Sequence, residues 1–325
     1  MIENERIAIT GGSGHLGTCL IQMLLKKGDS VKALYRSIIP AIEHSNLTWI
    51  KGDITDLSSV KELIEGSSVL IHGASLISIG SENKDEVYNI NVIGTEKIIE
   101  SCLQKKINLI YISSSSAVLE TKTDQVFNED RPYKTENDFV YEWTKAVAEQ
   151  KVLNSVKENN LNAFIIRPTA IVGPPDLKPS YFGKVIWDLA RSKIMITTSG
   201  GYNIVDVRDL SQTIINSIVK GEQGEVYLVG GTYFSLNQIA KLVNPNRKLI
   251  CLPLGFLIGI LPIIDMYKKI FPFKWPISRV SLFTLKNAPR KADMSKAIEK
   301  LDHEIRPVTE TINDLILWFR NQDIK

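Results

Sequence analysis

Hydrophobic residues in the first half of the chain fall into short runs, and segments with helical spacing separate these runs. Six runs are expected to form buried strands: Ile7–Ile9, Val31–Tyr35, Thr48–Lys51, Ser68–His72, Leu109–Ile112 and Asn162–Ile166. Apolar runs of this length are typical of strands that are covered on both faces of a sheet. Strands that alternate with helices predict the α/β class, with a doubly wound parallel sheet.

The regular alternation stops after Ile171–Pro175, where turns rich in proline and glycine begin. Three later elements are expected to return to the first domain: the strand-like Ile204–Val207, a helix near Asp209–Val219 and the strand Val226–Val229. The chain from about Ser235 onward is predicted to be mostly helical. We therefore expect one domain over residues 1–170, with returns near 204–230, and a smaller, mostly helical region over residues 171–325.

The segment Leu249–Ile264 is strongly apolar, but Pro253 and Pro262 interrupt it. A helix that crosses a membrane needs about 20 apolar residues. A proline inside a helix also removes a hydrogen bond and clashes with the preceding turn. A core helix, or an apolar lid over a substrate, is therefore favoured over membrane contact, and no stable membrane span is expected.

A glycine-rich turn follows the first strand, with Gly11, Gly14 and Gly17 spaced three residues apart. One glycine would permit the tight turn, one the approach of a pyrophosphate, and one the close packing of the next helix on the strand. The N-terminus of that helix offers free N–H groups to phosphates. A turn without a ligand is the alternative, but the position after the first strand favours dinucleotide binding.

Charged residues follow the second and third strands. An arginine at the end of the second strand, Arg36, suits the 2′-phosphate of NADP, whereas an acidic residue there would suit the ribose of NAD. The alternative for Arg36 is an ordinary surface side chain. Asp53 is a candidate acceptor for the adenine amino group, and Asp56 is a candidate cap for the helix Leu57–Glu65.

Small and polar residues follow the fourth and fifth strands. Gly73–Ser75 and the four consecutive serines Ser113–Ser116 occupy these positions. Because ligands of open α/β sheets bind outside the carboxyl ends of the strands, both segments are expected to line a cofactor cleft. We interpret His72 as a hydrogen-bonded core residue.

A tyrosine and a lysine lie four residues apart in a predicted helix, as Tyr141 and Lys145. Residues with this spacing share one helix face, so the phenol and the ammonium can point into the same pocket. About one tyrosine and lysine with this spacing is expected by chance in a chain of this composition. The pair is therefore significant because of its position rather than because of its existence.

Composition excludes several classes of protein. The chain of 325 residues is 44% hydrophobic and has a net charge of +3, which does not indicate nucleic-acid binding. Cys19, Cys102 and Cys251 are far apart and odd in number, so we expect buried thiols in a reducing compartment. The histidines show no metal-ligand spacing, so no metal is expected. The first residues show no secretory signal, so we expect a cytoplasmic protein.

The ordered motifs resemble those of the extended short-chain dehydrogenase/reductases. These motifs are Thr10–Gly11–x–x–Gly14–x–x–Gly17, Gly52–Asp53, His72–x–Ala74, Asn91–x–x–Gly94–Thr95, the serine run, Tyr141–x–x–x–Lys145, Arg167–Pro168 and Gly173–Pro174. Within this group, the segment Gly200–Asp209 is most similar to bacterial dihydroflavonol-4-reductase-like proteins. The resemblance implies a doubly wound Rossmann sheet and a nicotinamide cofactor, NADP(H) in preference to NAD(H).

The resemblance also implies roles for individual residues. Tyr141 would be the general acid or base. A free tyrosine titrates near pH 10, and the ammonium of Lys145 is expected to lower that value by favouring the phenolate. Lys145 would also bind the nicotinamide ribose, and a serine hydroxyl would steady the substrate oxygen. Ser115 is the first choice for that serine and Ser114 the second. Asn91 would shape the active-site helix or hold a water. Glu120 departs from the family pattern after the serine run, so the substrate side of that loop is expected to be unusual.

The complete expected set follows from these arguments. The catalytic residues are Ser115, Tyr141, Lys145 and Asn91, and the cofactor contacts are Gly11, Ser13, Gly14, His15, Leu16, Gly17, Arg36, Asp53, Ile54, Gly73, Ala74, Tyr141, Lys145 and Pro168. The expected partner is a small, hydrophobic molecule with a carbonyl or secondary alcohol. The family also implies a homodimer.

Three alternative functions stay open at this point. One is a nucleotide-sugar epimerase or dehydratase with tightly bound NAD, although Ser116–Ala117 replaces the Asp–Glu of dehydratases. A second is an enzyme similar to 3β-hydroxysteroid dehydrogenases. The third is a non-catalytic NADP-sensing regulator, which is disfavoured because such proteins commonly lack the tyrosine or the lysine.

Overall fold

A computed structural model of the chain describes residues 5–78, 83–122, 125–270 and 278–322. The strands are β1 Arg6–Thr10, β2 Ser30–Tyr35, β3 Leu47–Lys51, β4 Val69–His72, β5 Asn108–Ile112, β6 Ala163–Pro168, β7 Ala170–Val172, β8 Ile194–Thr198, β9 Gly201–Asp206, β10 Val226–Val229, β11 Thr232–Ser235 and β12 Lys248–Leu252. The α-helices are α1 His15–Lys27, α2 Leu57–Ile64, α3 Lys84–Tyr88, α4 Gly94–Lys105, α5 Val140–Asn159, α6 Tyr181–Arg191, α7 Val207–Lys220, α8 Leu236–Val243, α9 Leu254–Ile270, α10 Arg279–Asn287, α11 Ser295–Leu301 and α12 Val308–Asn321. A π-helical turn, Asn89–Ile93, joins α3 to α4, and a 3₁₀ turn covers Ser115–Ala117.

The central sheet contains seven strands in the order β3-β2-β1-β4-β5-β6-β10. Every pair of neighbouring strands in it is parallel. Helices α1, α7 and α11 pack on one face, and α2, α4 and α5 pack on the other. The predicted doubly wound parallel sheet is therefore confirmed, and the carboxyl ends of its strands form one continuous edge.

Local signals in the sequence explain where two helices begin or end. Helix α1 ends at Lys27, and its C-cap Gly28 adopts the left-handed conformation at φ 97° that favours glycine. Asp56 caps α2, since its carboxylate accepts hydrogen bonds from the N–H groups of Ser58 and Ser59. The expectation for Asp56 is therefore confirmed.

The later elements return to the first domain only in part. Helix α7 packs on the central sheet and β10 pairs with β6, as predicted. Strand β9 instead pairs with β7 and β11 in a separate sheet of three strands, while its residue Val205 packs in the core on the α1 and α7 face of the central sheet. The hydrophobic pattern identifies a strand but does not specify its partner, which depends on backbone pairing between distant segments.

The apolar segment near residue 250 divides into two elements. Its first residues form β12, which pairs with β8, and Pro253 separates this strand from α9. Leu257 and Leu261 of α9 are buried among the core side chains of the C-terminal region, whereas Phe256 is 56% exposed. Within the described ranges, no helix is long and apolar enough to cross a membrane.

The cysteines are only partly as expected. Cys19 and Cys102 are buried, but Cys251 is exposed, so the expectation of a buried thiol is wrong there. Cys251 lies on β12, which belongs to a sheet of only two strands. Among the described residues, β8 is the strand that pairs with β12, and the Cys251 side chain stays exposed beside this pair.

Candidate active site

The glycine turn lies at the carboxyl edge of the sheet, between β1 and α1. Gly11 has a φ of 74°, and a Cβ atom there would lie 2.8 Å from the backbone of Gly73 and Ala74. A Cβ on Gly17 would overlap the carbonyl oxygen of Gly11. Gly11 therefore permits the turn and its contact with the end of β4, while Gly17 permits α1 to pack against the turn.

The N-terminus of α1 has the features that a bound pyrophosphate requires. Gly14 is the N-cap residue and provides no side-chain hydrogen bond to the helix. Ser13 and Gly14 are exposed, and the first turn contains no acidic residue. The first N–H groups of α1 lack intrahelical acceptors and lie at the positive end of the helix dipole, so they fit the diphosphate of a dinucleotide.

A small cleft borders this turn and brings in a residue that the sequence did not suggest. It is lined by Ser13, Gly14, His15, Thr18, Leu177 and Lys178. His15 donates a 2.7 Å hydrogen bond from Nε2 to the carbonyl oxygen of Gly173, which joins the turn to the segment that leads to Lys178. Because Lys178 lies in an irregular loop far along the chain, no local motif identified it.

The predicted adenosine side of the site combines one charged pair and one apolar residue. The Nη1 atom of Arg36 lies 3.9 Å from Oδ2 of Asp53, and the Arg36 side chain is 64% exposed. Oδ1 of Asp53 accepts hydrogen bonds from the N–H and the hydroxyl of Thr55. Ile54 is buried in the core, so only its backbone is available to a ligand.

Tyr141 lies near the start of α5, and its hydroxyl pairs with the side chains of Ser114 and Ser75. Burial raises the pKa of Tyr141, whereas the two serine hydrogen bonds act to lower it. The expected lowering by Lys145 is not found. The ammonium of Lys145 is hydrogen-bonded to the carbonyl oxygen of Ile112 instead, so the phenol of Tyr141 stays protonated at neutral pH.

Lys145 is buried behind the tyrosine. Its Nζ donates a 2.6 Å hydrogen bond to the carbonyl oxygen of Ile112, and it lies 4.6 Å from the centre of the Tyr111 ring. Burial lowers the pKa of Lys145 to about 7, and the negative charge of Glu149 opposes that change. The ammonium therefore sits at the end of β5, directly beside the serine run.

The four serines after β5 have different surroundings. Ser113 donates a 2.5 Å hydrogen bond to Glu149, and Ser114 caps the 3₁₀ turn through the N–H of Ser116. Ser115 belongs to the 3₁₀ turn and lines the neighbouring cavity. Ser114 is the serine whose side chain interacts with the Tyr141 hydroxyl, so we propose Ser114 ahead of the first choice, Ser115.

Asn91 lies in the π-helical turn and fixes two parts of the site. Its Oδ1 accepts a 2.7 Å hydrogen bond from the N–H of Leu76, and its Nδ2 donates to the Leu76 carbonyl and to the hydroxyl of Thr144. Such π-helical turns are frequent at functional sites. The contacts support the expected role of shaping the active-site helix, because Thr144 lies between Tyr141 and Lys145.

His72 forms part of a hydrogen-bonded chain in the core. Thr95 donates its hydroxyl to the carbonyl oxygen of Asn91, so it can only accept from Nε2 of His72. Nδ1 is then an acceptor for the hydroxyl of Thr10, and that oxygen in turn accepts from the N–H of Ala74. Burial lowers the pKa of His72 to about 3, so the interpretation of a neutral core histidine is confirmed.

A buried ion pair lies next to the serine run. Arg167 and Glu149 are almost completely buried and pair at 2.5 Å, with the carboxylate also accepting from Ser113 and Tyr133. Removing one partner of such a pair leaves an uncompensated charge in the interior. Glu149 therefore both balances Arg167 and favours the charged form of Lys145.

We expect Glu149→Gln to lower the free energy of unfolding by about 3 kcal/mol, because Arg167 loses its counter-charge. The substitution should also lower the pKa of Lys145, since Glu149 is the group that raises it. Denaturant unfolding and the alkaline limb of the kcat/KM profile measure the two effects. Glu158→Gln changes an exposed residue of the same helix and should alter neither. An unchanged pH profile would contradict the electrostatic role of Glu149.

Comparisons with known proteins identify the family of this chain. Residues 8–223 match the model of the 3-beta hydroxysteroid dehydrogenase/isomerase family. The chain belongs to this family. The members of this family are enzymes. The predicted resemblance to the extended short-chain dehydrogenase/reductases is therefore confirmed.

Individual relatives of this family member span its whole length. It is 29% identical to sterol demethylase protein B of Methylococcus capsulatus, over 97% of this chain and 98% of that protein. It is 26% identical to a Synechocystis protein provisionally named a dihydroflavonol 4-reductase, over 96% of this chain and 94% of that protein. Its fold is similar to that of dTDP-glucose 4,6-dehydratase from Bacillus anthracis in complex with NAD, with a TM-score of 0.78, 16% identity, and coverage of 98% of this chain and 97% of that one.

Proposed function

We propose that this enzyme is an NADP(H)-dependent oxidoreductase that reduces a carbonyl group of a small substrate. The observation that carries the proposal is the pairing of the Tyr141 hydroxyl with Ser114 beside Lys145. These groups lie at the carboxyl edge of the sheet, as does the glycine turn. The residues from 171 onward, which supply Tyr202 and Asn203 to the adjoining cavity, are the proposed substrate-binding region.

The residues present fit a nicotinamide cofactor. When bound, the nicotinamide supplies the hydride that reduces the carbonyl carbon. The N-terminus of α1 would hold the pyrophosphate, Arg36 the 2′-phosphate and Lys145 the ribose hydroxyls. Neighbouring backbone fills the space that a Cβ atom would need at Gly11 and at Gly17. Gly14, in contrast, places no side chain over the N-terminus of α1, which leaves its N–H groups free for phosphate oxygens.

The protein groups divide the proton chemistry between them. Tyr141 carries its proton at neutral pH because burial raises its pKa, so it is suited to donate that proton to the carbonyl oxygen as negative charge develops there. Ser114 supplies a second hydrogen bond to the same oxygen. The nearby ammonium of Lys145 stabilises the phenolate that proton donation leaves behind. The protonated phenol favours reduction over the reverse oxidation.

A substrate screen tests the proposal directly. Loss of NADPH absorbance is followed with flavanonol-like ketones, steroids, aldehydes and UDP-sugars. Oxidation of NADPH by a ketone or an aldehyde is the expected result. Interconversion of UDP-sugars without net NADPH oxidation, by protein that retains NAD through purification, would assign the site to an epimerase instead.

Two substitutions separate the contacts to the cofactor phosphates. We expect Arg36→Ala to weaken NADPH binding about tenfold and to leave NADH binding unchanged, because only NADPH carries the 2′-phosphate. Lys178→Ala should weaken both about threefold, because Lys178 lines the cleft beside the glycine turn, where we propose that the pyrophosphate of both cofactors binds. Cofactor fluorescence titrations measure the dissociation constants.

The exposed Lys193 lies outside this cleft and supplies a matched control as Lys193→Ala. Unchanged NADPH affinity in Arg36→Ala would overturn the 2′-phosphate assignment. A loss confined to NADPH in Lys178→Ala would place that lysine at the 2′-phosphate instead of the pyrophosphate.

A further inference from the structure

A cavity of about 160 Å³ adjoins the catalytic groups. Ser114 and Ser115 form part of its wall, and Tyr202, Thr284 and Asn287 approach from the C-terminal region. Because Ser114 pairs with Tyr141, a carbonyl held by these two hydroxyls places the rest of the substrate in or beside this cavity.

One wall of the cavity is acidic. Glu120 and Glu142 both line it, and the buried ammonium of Lys134 lies between them, at 2.6 Å from Glu120 and 3.2 Å from Glu142. Asp138 is a third carboxylate, 3.5 Å from the same ammonium. One positive charge therefore faces three carboxylates, and the cluster is negative when all of them are ionised.

The charge of this cluster is sensitive to what binds against it. Burial raises the pKa of Glu142 to about 7, with Lys134 opposing the rise and Glu120 and Asp138 adding to it. A cation or a hydrogen-bond donor beside Glu142 favours its ionised form, whereas an anion forces it to keep a proton. A cation or a hydrogen-bond donor can therefore bind against this acidic wall with little cost in free energy.

A buried threonine hydroxyl is a further polar group of the cavity. Thr169 lines the same cavity and is only 7% exposed, and its hydroxyl oxygen has no hydrogen-bond partner among the described residues. Buried hydroxyls are normally hydrogen-bonded, because an unpaired one costs about 1–3 kcal/mol. This hydroxyl is independent of the acidic cluster, and it is available to a polar ligand.

We propose that this cavity selects substrates that carry a hydrogen-bond donor, a hydroxyl or an ammonium, near the reacting carbonyl and that it rejects a carboxylate there. The inference rests on the proposed function, since the cavity is located by its catalytic wall. Glu120 and Glu142 are its specificity residues and Thr169 is a further polar contact. A carboxylate would have to lie in a poorly solvated site beside charges of its own sign, where repulsion is only weakly screened.

Three cyclohexanones with the same ring test the proposal: 4-aminocyclohexanone, 4-hydroxycyclohexanone and 4-oxocyclohexanecarboxylate. Their dissociation constants are measured calorimetrically on the protein saturated with NADP⁺, at about pH 8, where Glu142 is ionised. We expect the amine and the alcohol to bind at least about tenfold more tightly than the carboxylate. Glu120→Gln and Glu142→Gln should each reduce the ratio of amine to carboxylate affinity several-fold.

Glu136→Gln is the matched control, because Glu136 is exposed on the same segment and does not line the cavity. Equal affinities for the three ketones, or no saturable binding of the amine and the alcohol, would overturn the proposal. NADPH oxidation is measured separately with the same ketones. Selective binding without turnover would count against the proposed reductase alone, and turnover without selectivity would count against the acidic subsite alone.

Discussion

Tyr141→Phe is expected to reduce kcat on the order of 10³-fold, because it removes the hydroxyl that donates the proton. The ring of phenylalanine fills the same space, so the packing of α5 should be retained. The partners that the hydroxyl loses are the hydroxyls of Ser114 and Ser75. Steady-state kinetics on the substrate found in the screen measures the loss.

Cofactor binding separates this effect from a structural one. The dissociation constant for NADPH should change less than about threefold, since no phosphate contact involves Tyr141. Tyr181→Phe is a suitable control, because that tyrosine is 58% exposed and lies away from the cavity wall. Full activity in Tyr141→Phe on the true substrate would show that the proposed mechanism is wrong.

The second large effect is expected at Ser114. We expect Ser114→Ala to lower kcat/KM about 10²-fold, because a hydrogen bond to the developing oxyanion is lost. Ser115→Ala removes a hydroxyl that lines the cavity without pairing with Tyr141, so it should change kcat/KM only a few-fold. The two variants differ by one position in a run of identical residues, which makes each the control for the other.

Stability measurements complete the comparison of the serines. Ser114 also caps the 3₁₀ turn at the N–H of Ser116, so Ser114→Ala should lose about 1 kcal/mol of unfolding free energy. A loss of this size leaves the fold intact and cannot account for a 10²-fold kinetic effect. A large kinetic effect in Ser115→Ala with a small one in Ser114→Ala would return the role to Ser115.

Patterns within short segments predicted most of the sheet and much of the cofactor side. Apolar runs located the strands, and the three-residue spacing of glycines located the turn at the end of β1. These features are local because strand burial and backbone conformation depend mainly on the residues of one element. The helical spacing of Tyr141 and Lys145 was sufficient to place both side chains on one face of α5.

Features that depend on contacts between distant segments were not predictable in this way. Pairing of β9 with β7 and β11 and the position of Lys178 beside the glycine turn are examples. The pKa of Tyr141 is another, because burial by several elements outweighs the neighbour expected from the helix spacing. The acidic wall likewise combines Glu120 from one loop with Glu142 from α5.

The sequence by itself determined the fold class and the family motifs, and it predicted Tyr141 and Lys145 as the candidate catalytic pair, because each is encoded by residue types at fixed short spacing. Only the tertiary structure showed that Ser114 interacts with the Tyr141 hydroxyl, since Tyr141 and the serine run lie far apart in the sequence. The tertiary structure also assembled the cavity in which carboxylates outnumber the buried ammonium of Lys134. Charge balance in a cavity depends on which distant segments meet there, and that depends on how the whole chain packs.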